Sequence, residues 1–442
     1  MKLDNWLAQR AQSAPERCAL MADGSEVSYA ELEAEAAWVA RRLAAYGVRR
    51  DATVALTTRA GREQVVLIHA LMKLGAVVLP LSPRLTPAER EAVIAAEQPA
   101  VDLDDPARQL TQTEADLPLL GEHDMDDLQC RILTSGSSGA PRAVGLTYGN
   151  QMWSAVGSAF NIGVLPEDRW LCCLPLSHVG GLSIVLRSVI YGTTAVLHDG
   201  FDTDRVAAAL EQDRITVVSL VSTMVRRLLE AGADLSAPRV ILVGGGPVPR
   251  DALEEALERG ATIVQTYGLT EAASQVTTLA PAEARRKLGS AGRPLLTTHL
   301  RVRDGEILVQ GPTVAPGCAD ADGWLHTGDL GRIDDEGFLY VEDRMDDLIV
   351  TGGENVVPAE VESVLVGHPE VVDAAVIGRE DPEWQQAVTA VVVLRSGSAA
   401  TADDLRRHCA GTLAPHKVPK RVELASALPR TPSGKLMRRA LR

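Results

Sequence analysis

The stretch LTSGSSGAPRAVGLTYGN (133–150) decides how the rest of the chain reads. The short apolar run 130–133 empties into glycine and hydroxyl residues (Thr134, Ser135, Gly136, Ser137, Ser138, Gly139), and a second strand-like run, 143–146, follows. An apolar run ending in Gly and Ser predicts a buried strand that opens into a loop. Glycines let successive backbone N–H groups face one point, and hydroxyls add donors, so such a loop can wrap a polyanion. A Gly/Ser linker is the plainer alternative, but linkers do not usually sit between two strand-like runs. No Gly-Lys-Ser/Thr follows to open a helix, so the loop is not of the kinase-type phosphate-binding kind.

Strand–helix–strand alternation surrounds the loop and predicts an α/β domain with a largely parallel sheet. Upstream, Ser28 and Glu31 form a capping-box signature, and Leu32, Ala36, Val39 and Leu43 then recur at helical spacing. A strand over 53–57, a helix over 62–74 closed by Gly75, and a strand over 76–81 follow. Thr86, Pro87 and Glu89 open another helix. The acidic stretch 102–127 reads as an irregular surface crossing.

Downstream, strands are expected at 170–174, 194–197, 217–220, 239–243 and 262–265, with helices at 181–191, 202–212, 224–231 and 250–258. Ligands in open α/β sheets bind at the carboxyl ends of strands. Three polar, glycine-bearing loops fall at such ends: 134–139, 244–247 and 266–271. The stretches 299–310 and 329–350 read as β-rich, with turns at Asp304-Gly305 and Glu336-Gly337. Past Arg344 a compact α+β segment is expected, with helices at 358–366 and 402–410, strands at 371–377 and 387–394, and a basic tail.

At 442 residues the chain exceeds what one core usually serves, so two or three domains are expected. Aromatics make up only 3%, so Ala, Val and Leu must fill the interior. A net charge of −15 argues against nucleic acid and against anionic membranes as partners, and an anionic substrate must be held by locally placed cations and N–H groups. The six cysteines show neither zinc spacing nor a disulfide framework. No signal peptide and no apolar run of about 20 residues is present, which excludes membrane insertion by a helix and points to the cytoplasm. Homo-oligomerisation is left open.

Five ordered motifs then resemble the adenylate-forming superfamily of acyl-CoA synthetases, adenylation domains and firefly luciferase. They are TSGSSGAPRAV (134–144), TYGLTE (266–271), GWLHTGDLG (323–331), DRMDDLIVTGGENVVPAEVE (343–362) and PRTPSGK (429–435). Within it, 147–192 and 266–279 are similar to the o-succinylbenzoate–CoA ligases of menaquinone biosynthesis. The resemblance implies an N-terminal domain over 1–344 that binds ATP and the acid, and a mobile C-terminal domain over 345–442. It implies two half-reactions. A carboxylate attacks the ATP α-phosphate to give an acyl-adenylate and pyrophosphate, and the CoA thiol then takes the acyl group and expels AMP. The co-substrates implied are ATP, CoA and a small carboxylic acid, with Mg²⁺.

On this resemblance residues 134–139 hold the β- and γ-phosphates, and Glu271, with Thr134, ligates Mg²⁺, a hard ion that takes oxygen ligands. Thr266, Tyr267, Gly268, Thr270 and the Gly244-Gly245-Gly246 turn line the adenine and α-phosphate sites. Asp329 and Arg344 reach the ribose, and Asp346 matches the hinge. Lys435 bridges carboxylate and phosphate during adenylation, and Gly352 and Gly353 line the path of the CoA arm. Arg142-Ala143 stands where the family usually has Lys-Gly, so Arg142 is either a phosphate contact or a solvated charge. His178 borders the acyl pocket and thiol path; Ser222 and Thr223 line the pocket. Arg187, on an otherwise apolar helix, is either a buried counter-ion for a dicarboxylate substrate or half of a structural salt bridge. Other aryl or acyl acids, a carrier-protein arm in place of CoA, and a catalytically silent binding module are the alternatives. The last is disfavoured by Glu271, Asp329, Arg344 and Lys435 occurring together.

Overall fold

In the computed structural model, apolar runs bounded by glycine become buried strands, and the amphipathic segments between them become helices that cover the sheets. The structure describes all residues except Asp23, 111–112, 135–141, Pro247, Glu383 and 432–435, together with the side chain of Asp346. It is a mixed α/β protein with a large N-terminal domain and a smaller C-terminal one.

The main sheet has nine strands. Six of them are parallel: Ile263–Leu269, Val240–Gly244, Val217–Val221, Arg169–Cys172, Thr194–Leu197 and Cys18–Ala22. They are rich in Val, Ile and Leu because both faces are buried under helices. Antiparallel strands close both edges, Ser274–Thr278 with Arg293–Pro294 on one side and Ser25–Ser28 on the other.

A second sheet orders Val101–Leu103, Thr53–Thr57, Val77–Leu81, Leu128–Thr134 and Arg142–Thr147. Its last two strands pair antiparallel, with Thr134 opposite Arg142. An antiparallel four-stranded sheet runs from His299–Arg303 to Leu339–Arg344. The capping boxes at Ser28/Glu31 and Thr86/Glu89 both form.

The smaller domain holds a five-stranded sheet covered by the helices Pro358–Val366 and Ala402–Ala410. Its core, with Ile349, Val361, Leu365, Val376, Val388 and Leu405, is separate from the cluster that fills the large domain.

Several expectations need correction. The 266–271 segment is not a free loop, because strand Ile263–Leu269 continues through Thr266, Tyr267 and Gly268. Its first half pairs parallel with Val240–Gly244 and its second half antiparallel with Ser274–Thr278. The helix expected over 224–231 starts two residues earlier, so Ser222 and Thr223 open the helix Ser222–Glu230. The 102–127 crossing is only partly irregular, with strand Val101–Leu103, helix Pro106–Gln109 and strand Glu122–Asp124. Thr134 and Arg142 belong to a different sheet from Gly244 and Thr266, so their approach depends on how the two sheets pack.

Candidate active site

Val221 pairs with Gly244, and Val243 with Gln265, at the carboxyl edge of the parallel strands, which brings Ser222, Thr223, Gly245, Gly246 and Thr266 to one rim. Antiparallel pairing with Ser274–Thr278 begins at Thr266, and its register shifts between Tyr267 and Gly268. A Cβ at Gly268 would stand 1.6 Å from the Ser274 carbonyl oxygen, so no larger residue fits. The Thr266 hydroxyl donates to the Thr277 carbonyl at 2.9 Å and meets the Thr278 hydroxyl at 2.8 Å, bracing this hairpin.

The side chain of Tyr267 reaches out of the hairpin. Its hydroxyl donates to Asp329 Oδ2 at 2.7 Å, and Arg344 Nε lies 3.1 Å from the other carboxylate oxygen. Burial first, and then the Asp329 charge, pushes the phenol pKa upward, so the hydroxyl stays a donor. Asp329 and Arg344 are paired across adjacent antiparallel strands. The Asp329 N–H also donates to the Thr327 hydroxyl at 3.1 Å, which itself donates to the Ile307 carbonyl at 2.7 Å. Three segments far apart in sequence thus build one polar clamp.

Glu271 lies in the single turn Thr270–Ala272, half-buried, and its carbonyl accepts the Ala315 N–H at 2.8 Å. Strand Arg142–Thr147, which leaves the Gly/Ser loop, packs against this turn. The Cys318 thiol marks their approach. Burial and then Glu271 raise its pKa, and Arg142 draws it back. At the other root of the loop, the Thr134 hydroxyl donates to the Arg142 carbonyl at 3.2 Å. The Glu271 carboxylate and the Thr134 hydroxyl are oxygen donors of the kind that Mg²⁺ takes together with phosphate oxygens. Ser135, Gly136, Ser137, Ser138 and Gly139 lie outside the described residues. No group of three or more His, Cys, Asp or Glu able to hold a metal ion occurs among the described residues.

Arg187 is only 3% exposed in the helix Val179–Tyr191. Its Nη1 donates to Gln275 Oε1 at 2.7 Å and its Nη2 to Ser154 Oγ at 2.8 Å, while Nε has no partner. Among the described residues no carboxylate pairs with it, and burial lowers its pKa. Gln275 stands opposite Gly268, so the cation sits one strand away from the Tyr267 clamp. Gln275 and Ser154 were not anticipated from sequence. The strand Ser274–Thr278 is mostly polar yet buried from Gln275 onward, which is the signal for Gln275; Ser154, on the helix Tyr148–Ile162, has no such signal. His178 precedes the same helix; its Nε2 is buried with no hydrogen-bond partner among the described residues, and burial lowers its pKa.

In the smaller domain Gly352 and Gly353 form the turn between Ile349–Thr351 and Glu354–Val356, at φ of +59° and +83°, a region that favours glycine. Asp346 falls in the turn Met345–Asp347 between the domains. Lys435 lies outside the described residues, but its flanks are anchored. Arg430 bridges to Leu436, and its guanidinium reaches Asp373 at 2.7 Å.

The AMP-binding enzyme family matches residues 7–121 and 97–318, and the AMP-binding enzyme C-terminal domain matches 360–435. A 2-succinylbenzoate–CoA ligase of Bacillus cereus is 40% identical over 474 aligned residues, covering 100% of this chain and 98% of the relative. The o-succinylbenzoate CoA synthetase of Bacillus subtilis, solved with the acyl-adenylate OSB-AMP, superposes with a TM-score of 0.93 at 38% identity, over 100% of this chain and 98% of that one. With ATP and magnesium the TM-score is 0.91 at the same identity, over 100% of both chains. A double mutant bound to the product analogue OSB-NCoA gives 0.76, again at 38% identity, over 100% of this chain and 99% of that one. No helix among the described residues is long and apolar enough to cross a membrane. From the Tyr267–Asp329–Arg344 clamp to the two-domain match along its length, this chain belongs to the AMP-binding enzyme family.

Proposed function

We propose that the chain is an ATP-dependent, AMP-forming ligase that activates o-succinylbenzoate and transfers the acyl group to CoA. The observation that carries the substrate is Arg187. A buried cation lacking a carboxylate partner is costly unless a ligand supplies one. A dicarboxylic acid does so with the carboxylate that is not activated, which leaves the other free to meet ATP.

The acid's free carboxylate oxygen attacks the α-phosphorus, and the bond to pyrophosphate breaks. Asp329 and Arg344 hold the ribose, with Tyr267 fixing the Asp329 rotamer. The rim residues Gly244, Gly245, Gly246, Thr266, Gly268 and Thr270 face adenine and α-phosphate. Thr134 and the Gly/Ser loop take the distal phosphates. Mg²⁺, held by Glu271 with Thr134, spreads the phosphate charge when bound. Lys435 supplies positive charge between the two reacting groups.

Residues 1–344 and 345–442 act as two bodies hinged at Asp346. The superposition values favour reading the present arrangement as the one that performs adenylation. Rotation about the hinge then brings Gly352 and Gly353 to the CoA arm, whose sulfur attacks the acyl carbon and releases AMP. His178, Ser222 and Thr223 border the acyl pocket. ATP and CoA are both cytoplasmic metabolites, and we place the protein in that compartment. Pyrophosphate release across a panel of carboxylic acids, with and without CoA, tests the reading; o-succinylbenzoate should stand out, and failure to release with it removes the substrate.

A further inference from the structure

Adjacent residues of a strand point to opposite faces, and Asp343 and Arg344 divide along that line. Arg344 turns to Asp329 in the nucleotide clamp. Asp343 turns away, buried, toward the smaller domain. Its Oδ2 accepts the Ala359 N–H at 2.8 Å, and its Oδ1 lies 3.9 Å from Arg438 Nη1. Ala359 is in the first turn of helix Pro358–Val366, whose own N-cap residue, Val357, has no side-chain acceptor to offer. The helix is therefore capped by a carboxylate from the far side of the Met345–Asp347 turn.

Arg438 is fixed beside this cap. Its Nη2 donates to the Glu362 carboxylate at 2.7 and 2.9 Å, and its Nη1 to Asp347 at 3.0 Å. Glu362 in turn accepts the Val376 N–H at 2.7 Å. Asp347, Ala359, Glu362, Val376 and Arg438 all follow the hinge; of this set only Asp343 precedes it. Rotation about the hinge preserves the contacts within the first group and breaks those to Asp343. Arg438 lies three residues beyond Lys435 in sequence.

We infer that Asp343 is a positioning residue, a latch that holds the smaller domain in the adenylation arrangement by capping helix Pro358–Val366 from across the hinge. It releases when the domain turns for thioester formation. The inference rests on the two-step reaction proposed above. Such a cap biases the equilibrium between arrangements by a factor of roughly 5–30.

The test uses full-length Asp343→Ala, with an acid the wild type accepts; Asp343→Asn, whose amide oxygen can still accept the Ala359 N–H, is the conservative variant and should stay closer to wild type. ATP–pyrophosphate exchange at saturating ATP should fall by a factor of roughly 5–30, with KM for ATP changed by less than about twofold. Thioester formation from supplied acyl-adenylate and CoA should hold or rise. Hydrogen exchange at the Ala359 amide and the rest of the first turn, 359–361, should speed up, which reads the cap without activity. An equal fall in both half-reactions, no change in either, or unchanged exchange protection at 359–361 would overturn the latch. A wild type that rejects o-succinylbenzoate but accepts another acid removes the substrate reading and leaves the latch to be judged on these outcomes.

Discussion

Asp329 and Arg344 face each other across neighbouring antiparallel strands, 3.1 Å apart, while Tyr267 donates to the second oxygen of the same carboxylate. The carboxylate is thus held in one orientation before any nucleotide arrives, and little rotamer entropy is lost on binding. Asp329→Ala should raise KM for ATP by roughly tenfold to a hundredfold, the loss of a charged hydrogen-bonding group worth about 1.5–3 kcal/mol. Kinetics at varied ATP check this; an unchanged KM would place the ribose elsewhere.

Arg187→Met keeps the volume of the side chain and removes its charge. The specificity constant for o-succinylbenzoate should fall by roughly thirtyfold or more, since truncating one partner of a buried charge pair costs about 2–5 kcal/mol. Benzoate, which has no second carboxylate, should lose nothing. Equal loss for both acids would make Arg187 structural. A thermal melt separates either result from the cost of leaving Gln275 and Ser154 without their donor, about 1–3 kcal/mol.

Gly268 and Gly246 make a contrasting pair. A Cβ at Gly268 would collide with the Ser274 carbonyl, whereas at Gly246 nothing lies within 4 Å. Gly268→Ala should cost about 3 kcal/mol, at the upper end for overpacking, and Gly246→Ala less than about 0.5 kcal/mol. Urea unfolding of both variants measures the difference.

Acid should weaken the fold through buried histidines. Burial, with a smaller effect of Lys73, pushes His69 down to about 3, and burial pushes His123, stacked on Tyr148, down to about 4. Both are neutral when folded and protonate near 6.5 when unfolded, so the unfolded state binds more protons below that value. Stability is then complete above pH 6.5 and falls as pH drops toward 4, on the order of 1 kcal/mol per pH unit for each group. The urea midpoint should drop between pH 7 and pH 5, and less so in His69→Leu. An undiminished drop in that variant would assign the effect to other groups.

Element positions were legible wherever local chemistry governs them. The helices Arg250–Glu258, Pro358–Val366 and Ala402–Ala410 and the strand Thr194–Leu197 fall where their periodicity and flanking residues put them. Legibility failed where tertiary context overrides local signal. Strand Ile263–Leu269 runs on through Gly268, which reads as a loop, because Ser274–Thr278 pairs with it from the other side. The Tyr267–Asp329–Arg344 clamp was readable residue by residue from its motifs, but the bond that fixes Asp329 depends on two sheets meeting. Gln275, Ser154 and Asp343 carry no local signature, since each acts on a group distant in the chain.

The central claim is that the Gly/Ser loop, Glu271 and Lys435 act on one nucleotide, with the smaller domain serving the two steps by different faces. Lys435→Ala, assayed separately in the two half-reactions, tests it most directly. ATP–pyrophosphate exchange with o-succinylbenzoate should fall by about a hundredfold to a thousandfold, the loss expected for one group aimed at developing charge. Thioester formation from supplied acyl-adenylate and CoA should stay within about threefold of wild type. Retained exchange, or equal loss in both steps, would contradict the account.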